Sequence, residues 1–240
     1  MTTNSNIKPA VLFVHGGYVD SSVWRHWERV IEELGIEAHT LDLRGHSGKF
    51  PWRVGKFGRT SLYDYAEDVI QKIDSIGRSV YLIGHSMGGL VCQIVAANNP
   101  SKVKGLVLVA SAAPSGISIV DEGTNYLKVL GLIAAMFTKT SHTLSVSTLT
   151  VSGNDIHRRP ESGTALMEMA RSKIDIESIE CRVLVLGARE DTTIPLKVQK
   201  EIAAKYDAQY KEFTGSHNLM LEANWRESIR FVAEWILELA

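Results

Sequence analysis

The stretch Ser79-Val80-Tyr81-Leu82-Ile83-Gly84-His85-Ser86-Met87-Gly88-Gly89-Leu90-Val91-Cys92 decides how this chain is read. Residues 79–83 read as a buried strand and 90–97 as a helix, so the six residues between them form a strand-to-helix turn. Holding a serine in such a tight, strained turn crowds the positions two before and two after it. Only very small residues fit there, and Gly84 and Gly88 occupy both positions. The turn lifts the Ser86 hydroxyl clear of the sheet, over a helix N-terminus whose first N–H groups have no intrahelical acceptor. This is the G-x-S-x-G arrangement that presents a serine nucleophile.

A serine hydroxyl attacks only when a base takes its proton, and the base needs a carboxylate to set its tautomer. Of the eight histidines, His217 is the only one beyond position 157. It lies in Gly215-Ser216-His217-Asn218, between the last strand candidate and the last helix, where sites of α/β proteins are built. The acid is sought in Gly187-Ala188-Arg189-Glu190-Asp191-Thr192-Thr193-Ile194-Pro195. Asp191 is favoured because Pro195, four residues on, can open the next helix; Glu190 is the alternative. No acid directly follows the fourth strand candidate, so the chain order is serine, acid, histidine. The oxyanion of acyl transfer needs two N–H donors. Met87, at the start of the helix, supplies one. Gly17, in His15-Gly16-Gly17-Tyr18 after the first strand, is expected to supply the other. His15 is read as bracing that loop, and Arg44-Gly45-His46 as loop scaffolding, with His46 at the edge of the site. Neither G-x-G-x-x-G nor G-x-x-x-x-G-K-[ST] is present, which sets aside a phosphate-binding turn.

Around these motifs, short apolar runs alternate with amphipathic segments, the pattern of an α/β protein with a parallel sheet. Strands are expected at 10–14, 37–42, 79–83, 103–110, 182–186 and 209–213, and helices at 22–34, 61–76, 87–98, 196–205 and 224–239. Trp24, Trp27, Trp225 and Trp235 fall at helical spacing with other apolar residues and are expected in the core. Residues 113–179 break the alternation with no convincing strand. They offer helix candidates at 125–137 and 161–172 around a Thr/Ser-rich stretch at 138–152. Leu127, Leu130, Ile133, Met136 and Phe137 would form either an inward helix face or a wall facing substrate.

The chain of 240 residues carries 26 basic and 27 acidic side chains with no long run of either sign. That balance sets aside an electrostatic nucleic-acid or membrane-surface binder. No segment is apolar and long enough to span a bilayer, and the polar N-terminus carries no signal-peptide core. Cys92 and Cys181 form no metal-ligand pattern and read as two buried free thiols, which suits a reducing cytoplasm.

Together these motifs resemble the α/β-hydrolase superfamily over nearly the whole chain. His15-Gly16-Gly17 looks like its oxyanion turn, and Asp42-Leu43-Arg44-Gly45-His46-Ser47 resembles its D-x-R-G-H-G motif, with Ser47 where glycine is common. Gly84 to Gly89 matches its G-H-S-M-G-G elbow, Gly187 to Pro195 its acid loop and Gly215-Ser216-His217 its histidine loop. The resemblance implies a mostly parallel sheet with helices on both faces. It makes 1–112 and 180–240 the core and 113–179 a helical cap, or lid, that shapes substrate choice. Two features depart from the pattern. The family's N-terminal antiparallel hairpin is not expected here, and Asp191 lies four residues after Gly187 where three is common, which keeps Glu190 in view. The serine argues against the family's aspartate-dependent haloalkane dehalogenases and epoxide hydrolases.

The expectation is therefore a serine-dependent carboxylic ester hydrolase using Ser86, His217 and Asp191, with Gly17 and Met87 as oxyanion donors. No cofactor or metal is called for, and the substrate is a small-molecule ester or acyl compound, with a modest acyl or aromatic ester suggested by the apolar cap. Rivals are thioester, C–C bond, lyase or perhydrolase chemistry on the same triad, and a ligand-binding protein with vestigial turnover.

Overall fold

A computed structural model describes residues 8–47, 54–117, 148–151, 154–170, 174 and 176–240. The six expected strands form at β1 (Ala10–Val14), β2 (Glu37–Leu41), β3 (Val80–His85), β4 (Val103–Val109), β7 (Arg182–Ala188) and β8 (Gln209–Phe213). They pair in the order β2-β1-β3-β4-β7-β8, and every pairing in this sheet is parallel. β1, β3 and β4 are almost entirely buried, whereas β2 and β8, at the two edges, are largely half-exposed. This is the burial expected when helices cover both faces of a parallel sheet.

Side-chain alternation divides the core into two halves. Leu12, Val14, Leu82, Leu106, Leu108 and Val185 face one way. Against them pack α3 (Leu62–Ile76), α4 (Met87–Asn98) and α6 (Leu196–Lys205). Val11, Phe13, Ile83, Val107, Leu184 and Leu186 face the other way, onto α1 (Arg25–Glu33) and α7 (Trp225–Leu239). Trp24, Trp27 and Trp235 are buried in this second half, while Trp225 is half-buried at its margin and stacks on His26. The Ser61–Asp64 capping box and Gly77 at φ +77° close the ends of α3. A four-residue helix, α2 (Val54–Phe57), lies outside the expected set.

β1 has β2 on one side and β3 on the other, so chain order reverses direction across the sheet at β1. The carboxyl ends of β1 and β3 flank that switch point, where α/β sheets open a crevice for ligands.

The segment between β4 and β7 corrects one expectation. It contains an antiparallel hairpin, β5 (Thr148–Val151) with β6 (Asn154–His157), where no strand was expected. The Thr/Ser-rich run reads as loop, although its last residues, Thr148, Leu149, Thr150 and Val151, include three β-branched side chains and one apolar leucine. Strand propensity depends on the partner strand more than on the residues themselves. Of the two helix candidates here, the second forms as α5 (Gly163–Ala170) and packs against α3. The first, with Leu127 to Phe137, lies outside the described residues. Cys92 is buried and Cys181 only half-buried, because Cys181 precedes β7 rather than lying within it.

Candidate active site

Ser86 sits between β3 and α4 at φ +52°, ψ −123°. A non-glycine residue there is strained, and the surroundings hold it in place. The Ser86 N–H donates to Val109 O (3.1 Å), and Ser86 O accepts from the N–H groups of Ala112 (2.9 Å) and Gly89 (3.0 Å). A Cβ on Gly84 would meet Gly88 O at 2.6 Å, and one on Gly88 would meet Val14 O at 2.7 Å. The glycines two before and two after the serine are thus required by backbone closeness.

β8 delivers His217 and β7 delivers Asp191. His217 Nδ1 lies 2.7 Å from Asp191 Oδ2, and His217 Nε2 lies 2.9 Å from Ser86 Oγ. A carboxylate only accepts, so Nδ1 carries the proton and Nε2 is free to receive the Ser86 hydroxyl. The Asp191 side chain is 1% exposed and that of His217 15% exposed. Asp191 Oδ1 accepts from the backbone N–H groups of Thr193 (2.7 Å) and Ile194 (2.9 Å). Glu190 instead turns outward, exposed, while its N–H donates to Gly215 O (3.0 Å). The histidine loop is anchored by Glu222, whose Oε1 accepts from the Ser216 N–H (2.9 Å) and hydroxyl.

The β1 loop lies directly against this elbow. A Cβ on Gly16 would meet His85 Nδ1 at 2.9 Å and Ser86 Cβ at 3.0 Å. His15 Nε2 accepts the Leu43 N–H (3.1 Å), so its proton sits on Nδ1 and is donated to Gly16 O (2.8 Å). In a trans peptide the carbonyl and the next N–H point opposite ways. The Gly17 N–H is therefore directed away from that tie. Met87 begins α4, where its N–H has no intrahelical acceptor.

Three groups here were not singled out from sequence, or not for these contacts. His85 donates Nε2–H to His217 O (2.9 Å) and packs its ring 4.7 Å from that of His217. Gln93 and Gln199 bracket Ser111: Gln93 Nε2 donates to Ser111 Oγ (3.0 Å), and Gln199 exchanges hydrogen bonds with the Ser111 backbone. Glu161, 1% exposed, meets His46 Nε2 at 3.0 Å and accepts from the Tyr65 hydroxyl (2.6 Å). Paired long-range polar residues have no local sequence pattern. Gln93, a polar residue inside the apolar run 90–97, is the one sequence signal, whereas Glu161 stands in the polar stretch 158–163 and carries none.

Burial, followed by the charge of His46, lowers His15 to about 4. Burial, followed by His217, lowers His85 well below the usual histidine value. Both rings stay neutral in the folded protein, while in the unfolded chain they take protons as pH falls through 6.5. Stability is thus full above 6.5 and falls below it. His46 is raised: burial opposes this, but the Glu161 charge and hydrogen bond outweigh it. Its contribution is already complete below 6.5, so it does not mask the loss. Between pH 6.5 and 5, His15 alone is expected to cost about 1.5 kcal/mol, read as a falling urea midpoint. A flat midpoint across that window would contradict buried neutral rings.

The fold and this crevice define a hydrolase-type α/β protein. The chain belongs to the alpha/beta hydrolase family, whose model matches residues 11–230. It is similar to a monoacylglycerol lipase from Paleococcus ferrophilus, at TM-score 0.71 and 23% identity over 97% of this chain and 96% of that one. It is similar also to polyneuridine aldehyde esterase, at TM-score 0.65 and 20% identity over 97% and 99%. A thioesterase domain from the curacin biosynthetic pathway matches at TM-score 0.67 and 16% identity over 97% and 89%. At these identities the likeness is one of fold. Among the described residues, no helix is long and apolar enough to cross a membrane.

Proposed function

We propose that this protein is a serine hydrolase of small carboxylic esters. One observation carries the reading: an unbroken hydrogen-bond chain from Asp191 through His217 to a serine held at a strained turn.

Ser86 Oγ attacks the ester carbonyl as His217 Nε2 takes its proton, and Asp191 stabilises the imidazolium that forms. The carbonyl π electrons move onto oxygen, where the N–H groups of Gly17 and Met87 receive the charge. Each such donor is typically worth about 3 kcal/mol in the transition state. Collapse expels the alkoxide, which takes the proton from His217 and leaves as the alcohol. Water then gives its proton to His217, attacks the acyl-enzyme, and the carboxylic acid departs as Ser86 regains its hydrogen. Residues 113–179 act in this reading as the cap over the carboxyl edge of the sheet, and the bond cleaved is set there and in the pocket.

The test is turnover of p-nitrophenyl esters from acetate to palmitate beside acyl-thioester analogues, with Ser86→Ala run in parallel. Ester turnover with a short- to medium-chain optimum, lost in the variant, is the expected result. Preference for thioesters would move the reading to a thioesterase. No turnover above the variant on any acyl substrate would overturn it.

A further inference from the structure

Three consecutive peptide groups of the β1 loop are each tied down, and two of the ties come from one short segment far away in sequence. The 16–17 peptide is held by His15 Nδ1–H on Gly16 O. In the 17–18 peptide, the Tyr18 N–H donates to Glu161 Oε2 (3.3 Å). In the 18–19 peptide, Tyr18 O accepts from the Arg159 N–H (2.8 Å). The Arg159 side chain also grips Asp20 at the end of the same loop (Nη2 to Oδ2, 2.6 Å). Tyr18 itself stands at φ +64°, a left-handed conformation that a tyrosine adopts only when its neighbours impose it.

Glu161 is placed for this by a filled ring of donors. Its Oε1 accepts from the Tyr65 hydroxyl (2.6 Å) and its own neighbour's N–H at Ser162 (2.7 Å). Its Oε2 takes Tyr18 N–H and His46. His46 Nδ1 faces Arg44 O at 3.3 Å, so both ring nitrogens face acceptors and the ring is an imidazolium. A bare carboxylate this close to an oxyanion donor would oppose the charge that develops there. Beside it, His46 makes the pair neutral. A Cβ on Gly17 would lie 3.3 Å from Glu161 Oε2, which shows how closely the carboxylate abuts the loop.

Resting on the serine-hydrolase reading above, we infer that Glu161, neutralised by His46 and steadied by Tyr65, is a positioning residue that holds Tyr18 strained so that the Gly17 N–H faces the reacting carbonyl. Without its acceptor, Tyr18 relaxes to negative φ and the 17–18 peptide turns about Gly17, so that the Gly17 N–H keeps its aim by the His15 tie alone. Because Arg159 and Glu161 lie between β6 and α5, the oxyanion hole is complete only while these residues are seated on the β1 loop.

The experiment compares wild type, Glu161→Gln and Tyr65→Phe, with active sites counted by titration to completion with a fluorophosphonate. Glu161→Gln is expected to lower kcat per titrated site about 10- to 100-fold with KM within about 3-fold, below the full loss of a donor. The Ki of an alkyl boronic acid, which forms a tetrahedral adduct on Ser86, should rise by the same factor. A residue that merely supports folding would lower the titrated fraction and leave kcat per site and boronate affinity unchanged. Tyr65→Phe deletes only the hydroxyl on Oε1, is expected to cost several-fold in kcat per site, and carries the test if Glu161→Gln does not fold. Wild-type turnover with kcat per site preserved in the folded variants overturns this inference alone. A wild type with neither turnover nor boronate binding overturns the hydrolase reading, and this inference with it.

Discussion

Ser86→Ala is expected to lower kcat by about 10^5-fold or more while leaving the fold intact. The size follows from the role: without Oγ no acyl-enzyme forms, and His217 has no hydroxyl to deprotonate at 2.9 Å. In the proposed mechanism, what remains is direct attack by water, helped by the two proposed oxyanion donors. The fold should survive because Ser86 is anchored through its backbone, by Val109 O, Ala112 N and Gly89 N. Alanine at φ +52° keeps the same strain, so the thermal midpoint should move little. The check is steady-state hydrolysis with intact-mass analysis after fluorophosphonate treatment. Wild type gains one adduct and the variant none; residual turnover within about 100-fold of wild type would assign the nucleophile elsewhere.

Asp191→Asn is expected to cost about 10^4-fold in kcat with KM nearly unchanged. Two backbone N–H groups, of Thr193 and Ile194, already require an acceptor at the Oδ1 position. The asparagine carbonyl must therefore stay there, and its NH2 is forced toward His217 Nδ1. Nδ1 then accepts, the ring proton moves to Nε2, and the nitrogen facing Ser86 can no longer take a proton. Glu190→Gln, a change to an exposed side chain, should alter kcat by less than about 3-fold by the same reasoning. Kinetics of the two variants side by side separate the acids: a larger loss in Glu190→Gln would reverse the assignment.

The Asp191 and Glu190 question marks where local reading ends. Both acids were legible as candidates in the loop after β7, because that loop follows an apolar run and precedes a proline. Which of them meets His217 depends on a turn: the Asp191 N–H bonds back to Ala188 O, while Glu190 N–H pairs with Gly215 O and its side chain points to solvent. One residue of offset reverses the direction of the side chain, and only the packed β7 and β8 loops set that offset.

By itself the sequence determined the six strands, the main helices and the elbow. Each is written in neighbouring residues: apolar runs, caps, and the two glycines spaced about the serine, although the atoms that demand Gly88 belong to the β1 strand and loop. The strand order and the division of the core into two faces needed the assembled sheet. So did the hairpin at 148–157, since a Thr-rich run becomes strand only when a partner satisfies its backbone. The Glu161–His46 pair spans 115 positions and the Glu161–Tyr18 bond 143. No local pattern encodes contacts at such separations, because burial, which makes a paired charge necessary, exists only once the chain has folded.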